Sequence, residues 1–376
     1  MLSQPPLWLT VLAFVCALGP LVFFHELGHY LVARLFGIAA EVFSIGFGRE
    51  LFGWTDRQGT RWKLGWLPLG GYVRFVGDMN PASAPSDEQD IPPELRSRAF
   101  QLRPAWQRFL VVLAGPAANF LLAILIFATF FATIGMPRTP NVVGLVEAGS
   151  VAERVGLRPG DRIEQVAGRS IGSFEDLQRV VMLRPGEPVL IRIERNNEQL
   201  AIPATIGVRV EKDRFGATYR TGKLGVGQAD RVLVRPSALE LIPAATGYTF
   251  EITRSMVEGL VQIVTGRRGT EDVGGPIKIA QIAGQQAELG LVAFVQLLAL
   301  FSINLGFINL LPVPMLDGGH LFFYAVEAVR RRPISARALD WAYRGGLALI
   351  LALVLFTTIN DLGSVGLWDR LQRLIG

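Results

Sequence analysis

The sequence predicts a polytopic α-helical membrane protein with about four membrane-crossing helices and one inserted α+β domain. Three observations carry that reading. Half of the 376 residues are apolar and only 18% are charged, against about a quarter in soluble globular chains. The apolar residues are gathered into runs without a single charge, residues 7–24, 109–135 and 291–316, with a shorter run at 347–360. Between the second and third runs lies a polar stretch with the two-residue alternation of strands. A hydrocarbon core of about 30 Å takes about 20 apolar residues in a helix. The first three runs meet that length, and the fourth comes close when extended back to Gly345.

In chain order, residues 1–7 hold no Lys or Arg and no small-x-small cleavage pattern follows the first run. That run therefore reads as a retained span and not as a signal peptide. Ten basic residues fall between Arg34 and Arg108, and five more between Arg330 and Arg344. Basic loops stay cytoplasmic, which places both segments there and residues 136–288 on the far side. Residues 1–135 form the first membrane part, with a strand-like stretch at 62–76 that signals a hairpin around Gly70 and Gly71. The loop 77–98, rich in Pro, Ser and acid, reads as irregular.

Residues 139–208 form the inserted domain. Val142, Val143, Leu145 and Val146 read as a strand, and Phe174, Leu177, Val180 and Val181 have helical spacing. Val189, Ile191 and Ile193 alternate as in a half-buried strand. Residues 209–288 read as a linker followed by helices near the membrane face, and 289–376 hold the last two spans. The net charge of +5 reports topology, since no basic-aromatic patch argues for nucleic acid. Cys16 is the one cysteine, so the chain has neither an internal disulfide nor a cysteine-ligated metal.

Residues 25–29 read His-Glu-Leu-Gly-His and directly continue the first run. At i and i+4 two imidazoles share one helix face and can hold a zinc ion, while Glu26 can act as a base towards water. The chain has three histidines, and two lie here at membrane depth, where ionisable groups are costly and functional by default. A catalytic zinc takes a third protein ligand. Asp317 is the candidate, preceded by 28 residues without a charge. On spacing alone, a solvated carboxylate at a helix end remains the alternative.

Gly149, Ala152, Gly156, Leu157, Gly160, Asp161, Ile163 and Val166 together resemble a PDZ domain, a module that captures peptides by strand addition. HELGH at 25–29, PLGGYVR at 68–74, GPAAN at 115–119 and NLLPVPMLDGG at 309–319 resemble the site-two protease family, in particular its bacterial RseP-type branch. The resemblance covers nearly the whole chain. It implies one Zn2+ held by His25, His29 and Asp317, with Glu26 as catalytic base. It also implies a membrane re-entrant β-hairpin whose Gly70, Gly71 and Tyr72 hold the substrate extended. Asn304 and Asn309 occupy positions that bind substrate backbone or steady the oxyanion, although either taken singly also suits interhelical hydrogen bonding. Gly115, Pro116 and Asn119 match the second-span motif, where packing is expected. His320 is expected in a supporting or structural role.

The function so implied is an intramembrane zinc endopeptidase, multi-pass in the bacterial inner membrane, with its single PDZ-like domain extracytoplasmic. Its partners would be membrane lipid and a transmembrane protein substrate already shortened by another protease, such as an anti-sigma-type regulator or a signal-peptide remnant. The best-known RseP-type enzymes carry two tandem PDZ modules; here residues 209–240 are left unassigned after one. The alternative is a membrane PDZ scaffold or chaperone without catalysis, against which the intact His25, Glu26, His29 and Asp317 set argues.

Overall fold

The structure, a computed structural model, describes residues 5–77, 91–212, 218–230, 232–266, 274–332 and 334–364. Two compact units emerge: Met1–Ala128 with Ile242–Ile263 and Arg268–Gly376, and Thr129–Leu241 with Val264–Arg267.

The first unit opens with α1, Leu7–Leu35, a helix of 29 residues that carries HELGH in its last third. It is followed by two long strands, β1 (Ala40–Thr55) and β2 (Arg61–Phe75). Their connecting turn lies at 56–60 and not at Gly70-Gly71, which corrects the expected hairpin position. Asp56 builds the turn: its carboxylate accepts from the N–H of Gln58 at 2.8 Å and of Thr60 at 3.0 Å. Short acidic side chains favour such turns by bonding their own backbone. The same carboxylate accepts from Trp62 Nε1 at 3.0 Å and from Tyr30 OH on α1 at 3.3 Å, so the turn is tied to α1.

Both strands fold back on themselves. Residues 40–45 pair on one side with 71–75 (Ala40↔Phe75 to Ile45↔Gly71) and on the other with 61–64 (Val42↔Arg61 to Ile45↔Leu64). Residues 61–64 also pair with 52–55. Gly70, at φ +97°, permits the reversal, since that backbone conformation is open to glycine and costly for other residues. Segment 71–75 thus becomes a sheet edge with 40–45 as its one strand neighbour among the described residues. Beneath the sheet, Tyr30, Ala33, Ile38, Phe43, Phe75 and Val111 form a buried apolar cluster.

Of the loop expected to be irregular, residues 78–90 lie outside the described residues, and Pro93–Arg98 form a short 3₁₀ turn. Then α2 runs over Ala105–Thr133, with Pro116 inside it.

The second unit is α+β. Its elements are β3 (Met136–Arg138), β4 (Val143–Val146), α3 (Val151–Arg154), β5 (Arg162–Val166), β6 (Arg169–Ser170), α4 (Phe174–Met182), β7 (Pro188–Arg195) and β8 (Glu198–Thr205). They are followed by β9 (Gly207–Lys212), β10 (Thr218–Lys223), β11 (Val226–Gln228) and β12 (Val232–Val234). Strands β6-β5-β7-β8 form a four-stranded sheet. The alternation of Val189, Ile191 and Ile193 into the core, with Phe174, Leu177, Val180 and Val181 of α4 against them, is as the periodicities predict. Ser173 caps α4 by accepting from the Asp176 N–H at 3.2 Å.

The described residues of 209–240 are not a linker but strands of the second unit, which corrects the expected boundary at 208. β9 pairs with β10, β11 with β4, and β12 with β3, all antiparallel. Leu224 and Ile206 join the same core. These strands have three to six residues, too few for a periodic signal to stand out.

The chain returns to the first unit with α5 (Leu241–Val264), α6 (Pro276–Glu288), α7 (Leu291–Asn309), α8 (Asp317–Arg330) and α9 (Ala336–Ser364). The third apolar run does not stay helical to residue 316, as expected, but stops at Asn309. Pro312 and Pro314 remove backbone donors and force their predecessors out of the helical region. Asp317 therefore opens a helix instead of closing one. Asp361 of α9 caps α6, accepting from the N–H of Gly275 and of Lys278 at 3.0 Å each.

Among the described residues four helices are long and apolar enough to cross a membrane: Leu7–Leu35, Ala105–Thr133, Leu291–Asn309 and Arg337–Leu362. Their outward faces are apolar, with Leu7, Val11, Leu121, Leu125, Leu351 and Leu355 all more than half or half exposed. Exposed apolar residues in such number on helices of that length call for a hydrocarbon neighbour. The chain is a multi-pass membrane protein.

Candidate metal centre

Three side-chain atoms converge within the first unit. His25 Nε2 lies 3.1 Å from Asp317 Oδ2, His29 Nε2 lies 3.6 Å from the same oxygen, and the two Nε2 atoms are 3.2 Å apart. The imidazoles meet because α1 is unbroken from residue 25 to 29, so i and i+4 stand one above the other. The carboxylate meets them because the helix break at 310–316 turns α8 so that its first residue enters the site. Gly318 and Gly319 make that turn possible: a Cβ on either would overlap backbone of the 310–314 segment.

The donor set fits a zinc ion. At metal–ligand distances of about 2.0–2.2 Å, tetrahedral neighbours stand about 3.3–3.6 Å apart, and the three observed edges, 3.1 to 3.6 Å, come within about 0.2 Å of that range. Asp317 Oδ2 is also buried without a well-directed hydrogen bond. A carbonyl can only accept, so His29 Nδ1, 2.8 Å from the Val111 oxygen, must be the donor there. That leaves Nε2 of a neutral His29 as a bare acceptor facing an acceptor. Protons or a divalent cation can bridge such a set, and binding of the cation releases the protons.

The supports come from α2. Gly28 of α1 lies so close that a Cβ would overlap the Ala114 carbonyl and the Ala118 methyl; a Cβ on Gly115 would overlap the His29 ring. The Asn119 amide reaches His25 Nδ1 at 3.1 Å and is fully buried. With a cation on Nε2, neutral His25 carries its proton at Nδ1, and the amide can present Oδ1 to accept it. Packing alone was expected of Asn119; the contact with His25 adds a direct orienting role. Ser302 Oγ donates to the Asn119 carbonyl at 2.7 Å, and Gly306 lies against Pro116 and Phe120, which seats α7 on α2.

Glu26 is buried beside the two imidazoles. The N–H of Val73 bonds its carboxylate, and a Cβ on Gly71 would press on Glu26 Cγ at 3.2 Å. The sheet edge 71–75 therefore lies against the acid. Tyr72, on the other face, is stacked on Phe47 with ring centroids 5.9 Å apart, and Lys63 Nζ sits 5.1 Å over its ring. Its side chain stiffens the sheet; only its backbone belongs to the edge. Gly70 serves the reversal and its missing Cβ faces the Phe47 ring.

Asn304 and Asn309 are half-buried on α7 and supply none of the three converging atoms. Asn304 stands about 200° around the helix from Ser302, hence away from the face that meets Asn119. His320 contributes no ligand atom either: its Nδ1 lies 3.1 Å from Tyr343 OH on α9. Val73 and Val111 are contributors that the sequence does not single out, and Asn119 is one whose motif points only to packing. The first two act through backbone atoms, which leave no residue signature. Asn119 lies four residues after Gly115, the spacing of one helix face.

A family model for peptidase family M50, the site-two proteases, matches residues 13–353. The chain belongs to peptidase family M50. Curated relatives agree. A Rhizobium meliloti protein that bears the name of a zinc metalloprotease is 44% identical over 359 residues, 94% of this chain and 96% of that one. One from Agrobacterium fabrum, named likewise, is 42% identical over 94% of this chain and 96% of its own. The metalloprotease MmpA of Caulobacter vibrioides is 39% identical over 92% and 93%. Among solved structures, the PDZ domain of an SdrC-like protein from Listeria monocytogenes overlays at a TM-score of 0.20, with 18% identity, on 25% of this chain and 90% of its own. The M50 peptidase described here is a zinc metalloprotease.

Proposed function

We propose that this M50 peptidase hydrolyses peptide bonds of single-pass membrane proteins within the bilayer of the bacterial inner membrane. The observation that carries the reading is the meeting of His25, His29 and a buried Glu26, on a helix apolar enough to cross a membrane, with Asp317 at the start of α8. His25, His29 and Asp317 would hold one zinc ion. Zinc, when bound, supplies Lewis acidity that acidifies a water and polarises a carbonyl.

The chain's own residues do the rest. Glu26, steadied by the Val73 N–H, accepts the proton of the attacking water and returns it to the leaving amine. A substrate helix must be unwound before attack, which strands its backbone donors and acceptors in lipid. The free edge of segment 71–75 can satisfy them by strand addition, holding the bond extended above Glu26. Asn304 and Asn309 are assigned to substrate backbone or to the oxyanion.

In the second unit, the pattern from Gly149 to Val166 supports a PDZ-like peptide-capture role. β11 has one strand neighbour, β4, among the described residues, which leaves an edge for an incoming chain. By the distribution of basic residues, this unit is extracytoplasmic. The substrates are anti-sigma-type regulators or signal-peptide remnants shortened beforehand by another protease.

The test compares wild type with Glu26→Gln. The variant should keep its zinc while cleavage falls by about 10²–10⁴-fold, and uncut single-pass proteins should accumulate in its membranes. Equal processing by both proteins removes Glu26 from the reaction and the proposal with it.

A further inference from the structure

The residues of α2 that support the imidazoles share a spacing: Val111, Gly115 and Asn119 fall on one helix face. One turn earlier the same face carries Arg108. Its Nη2 lies 3.2 Å from Glu327 Oε2 on α8, with side chains only 22% and 16% exposed. Its guanidinium also sits 4.7 Å from the centre of the Tyr324 ring. Tyr324 and Glu327 are three apart on α8, so one cation grips two positions on one side of that helix. The other oxygen of Glu327 accepts from the Ile334 N–H at 3.2 Å, which fixes the chain just after α8.

We infer that Arg108 and Glu327 are positioning residues for the metal set, locking α8 so that Asp317 faces His25 and His29. The ligands stand on two elements. Two imidazoles belong to α1, which Gly28, Gly115, Val111 and Asn119 bind to α2. The carboxylate belongs to α8, joined to α7 through the seven-residue segment 310–316. That segment contains Met315 at φ +83°, a strained conformation for a side-chain-bearing residue, which persists only when its surroundings hold it. Something must hold α8 against α2 for the third ligand to be in place before the ion arrives. The Arg108 contacts do that: a guanidinium on a partly buried carboxylate and on an aromatic face is well defined in direction. The inference rests on the proposed zinc set.

The test uses the full chain purified in detergent, with zinc as the probe. Glu327→Gln, which is isosteric, and Arg108→Gln each remove the ion pair; the exchange Arg108→Glu with Glu327→Arg restores it in reverse. Zinc affinity is measured by competition with a chelator, the ligand geometry by the visible absorption bands of the cobalt-substituted protein, and folding by the thermal midpoint of metal-free protein. Each single variant should bind zinc about 10-fold more weakly or worse and show altered cobalt bands, with a metal-free midpoint that accounts for neither. The exchange should recover most of the affinity. Single variants with wild-type affinity and bands overturn the inference, as does an exchange that recovers nothing. If wild type itself takes up no zinc, the proposed metal set falls first and this inference with it, an outcome distinct from the other two.

Discussion

At the scale of single residues, the site depends on atoms that are missing as much as on those present. Gly71 has no side chain, and a methyl there would lie 2.7 Å from Val22 Cγ1 and from the Ser44 oxygen, and 3.2 Å from Glu26 Cγ. The acid would have to move. Gly71→Ala should therefore lower kcat, by at most the roughly 10²-fold that displacing a catalytic group by about 1 Å costs, while zinc content stays unchanged. Metal analysis alongside cleavage of a membrane substrate checks this, and wild-type turnover would show that the edge does not constrain Glu26. His25, Glu26 and His29 were legible in the sequence because helical spacing is local. The Val73 N–H and the Val111 carbonyl were not, because every residue has the same backbone groups.

At the scale of elements, Asp161 shows how a turn residue becomes a structural pin. The Pro159-Gly160-Asp161 sequence reads as turn chemistry, yet the carboxylate is almost fully buried. It accepts from Arg195 Nε and Nη2 on β7 at 2.7 Å each and from the Arg158 N–H at 2.7 Å. Burial alone would raise its pKa; the hydrogen bonds from Arg195 and Arg158 outweigh it and hold the carboxyl below its ordinary range. A carboxyl depressed in the fold binds its proton more readily once unfolded. Its stabilisation is thus complete above the ordinary value near pH 4 and is lost as the pH falls through the folded value. Asp161→Asn should cost about 3 kcal/mol at neutral pH, as when a buried pair loses one partner. It should also flatten the decline of the second unit's thermal midpoint between about pH 5 and 3. An unchanged acid limb would assign the decline to other carboxylates. The sequence reading found α4 and β7 from their periodicity and missed β9 to β12, whose short strands are recognised only by the partners they pair with.

At the scale of the whole molecule, a metal that joins α1 to α8 should stabilise the first unit. A ligand that binds only the folded state adds stability in proportion to the logarithm of its excess over Kd. Stripping zinc with a chelator should abolish cleavage and lower the thermal midpoint, and zinc should restore both. In His29→Ala the chelator should no longer move the midpoint. A shift that persists in that variant would place the ion elsewhere.

The sequence by itself determined that four apolar runs can cross a membrane, that two imidazoles and a glutamate share one helix face, and to which family the motifs point. Each of these is written in composition or in spacing within one element. Only the tertiary structure decided that Asp317 opens a helix and turns towards those imidazoles. Only it showed that β2 doubles back to lay an edge on Glu26, and that one face of α2 supports the ligands. Those facts depend on contacts between residues far apart in the chain, which no local periodicity encodes.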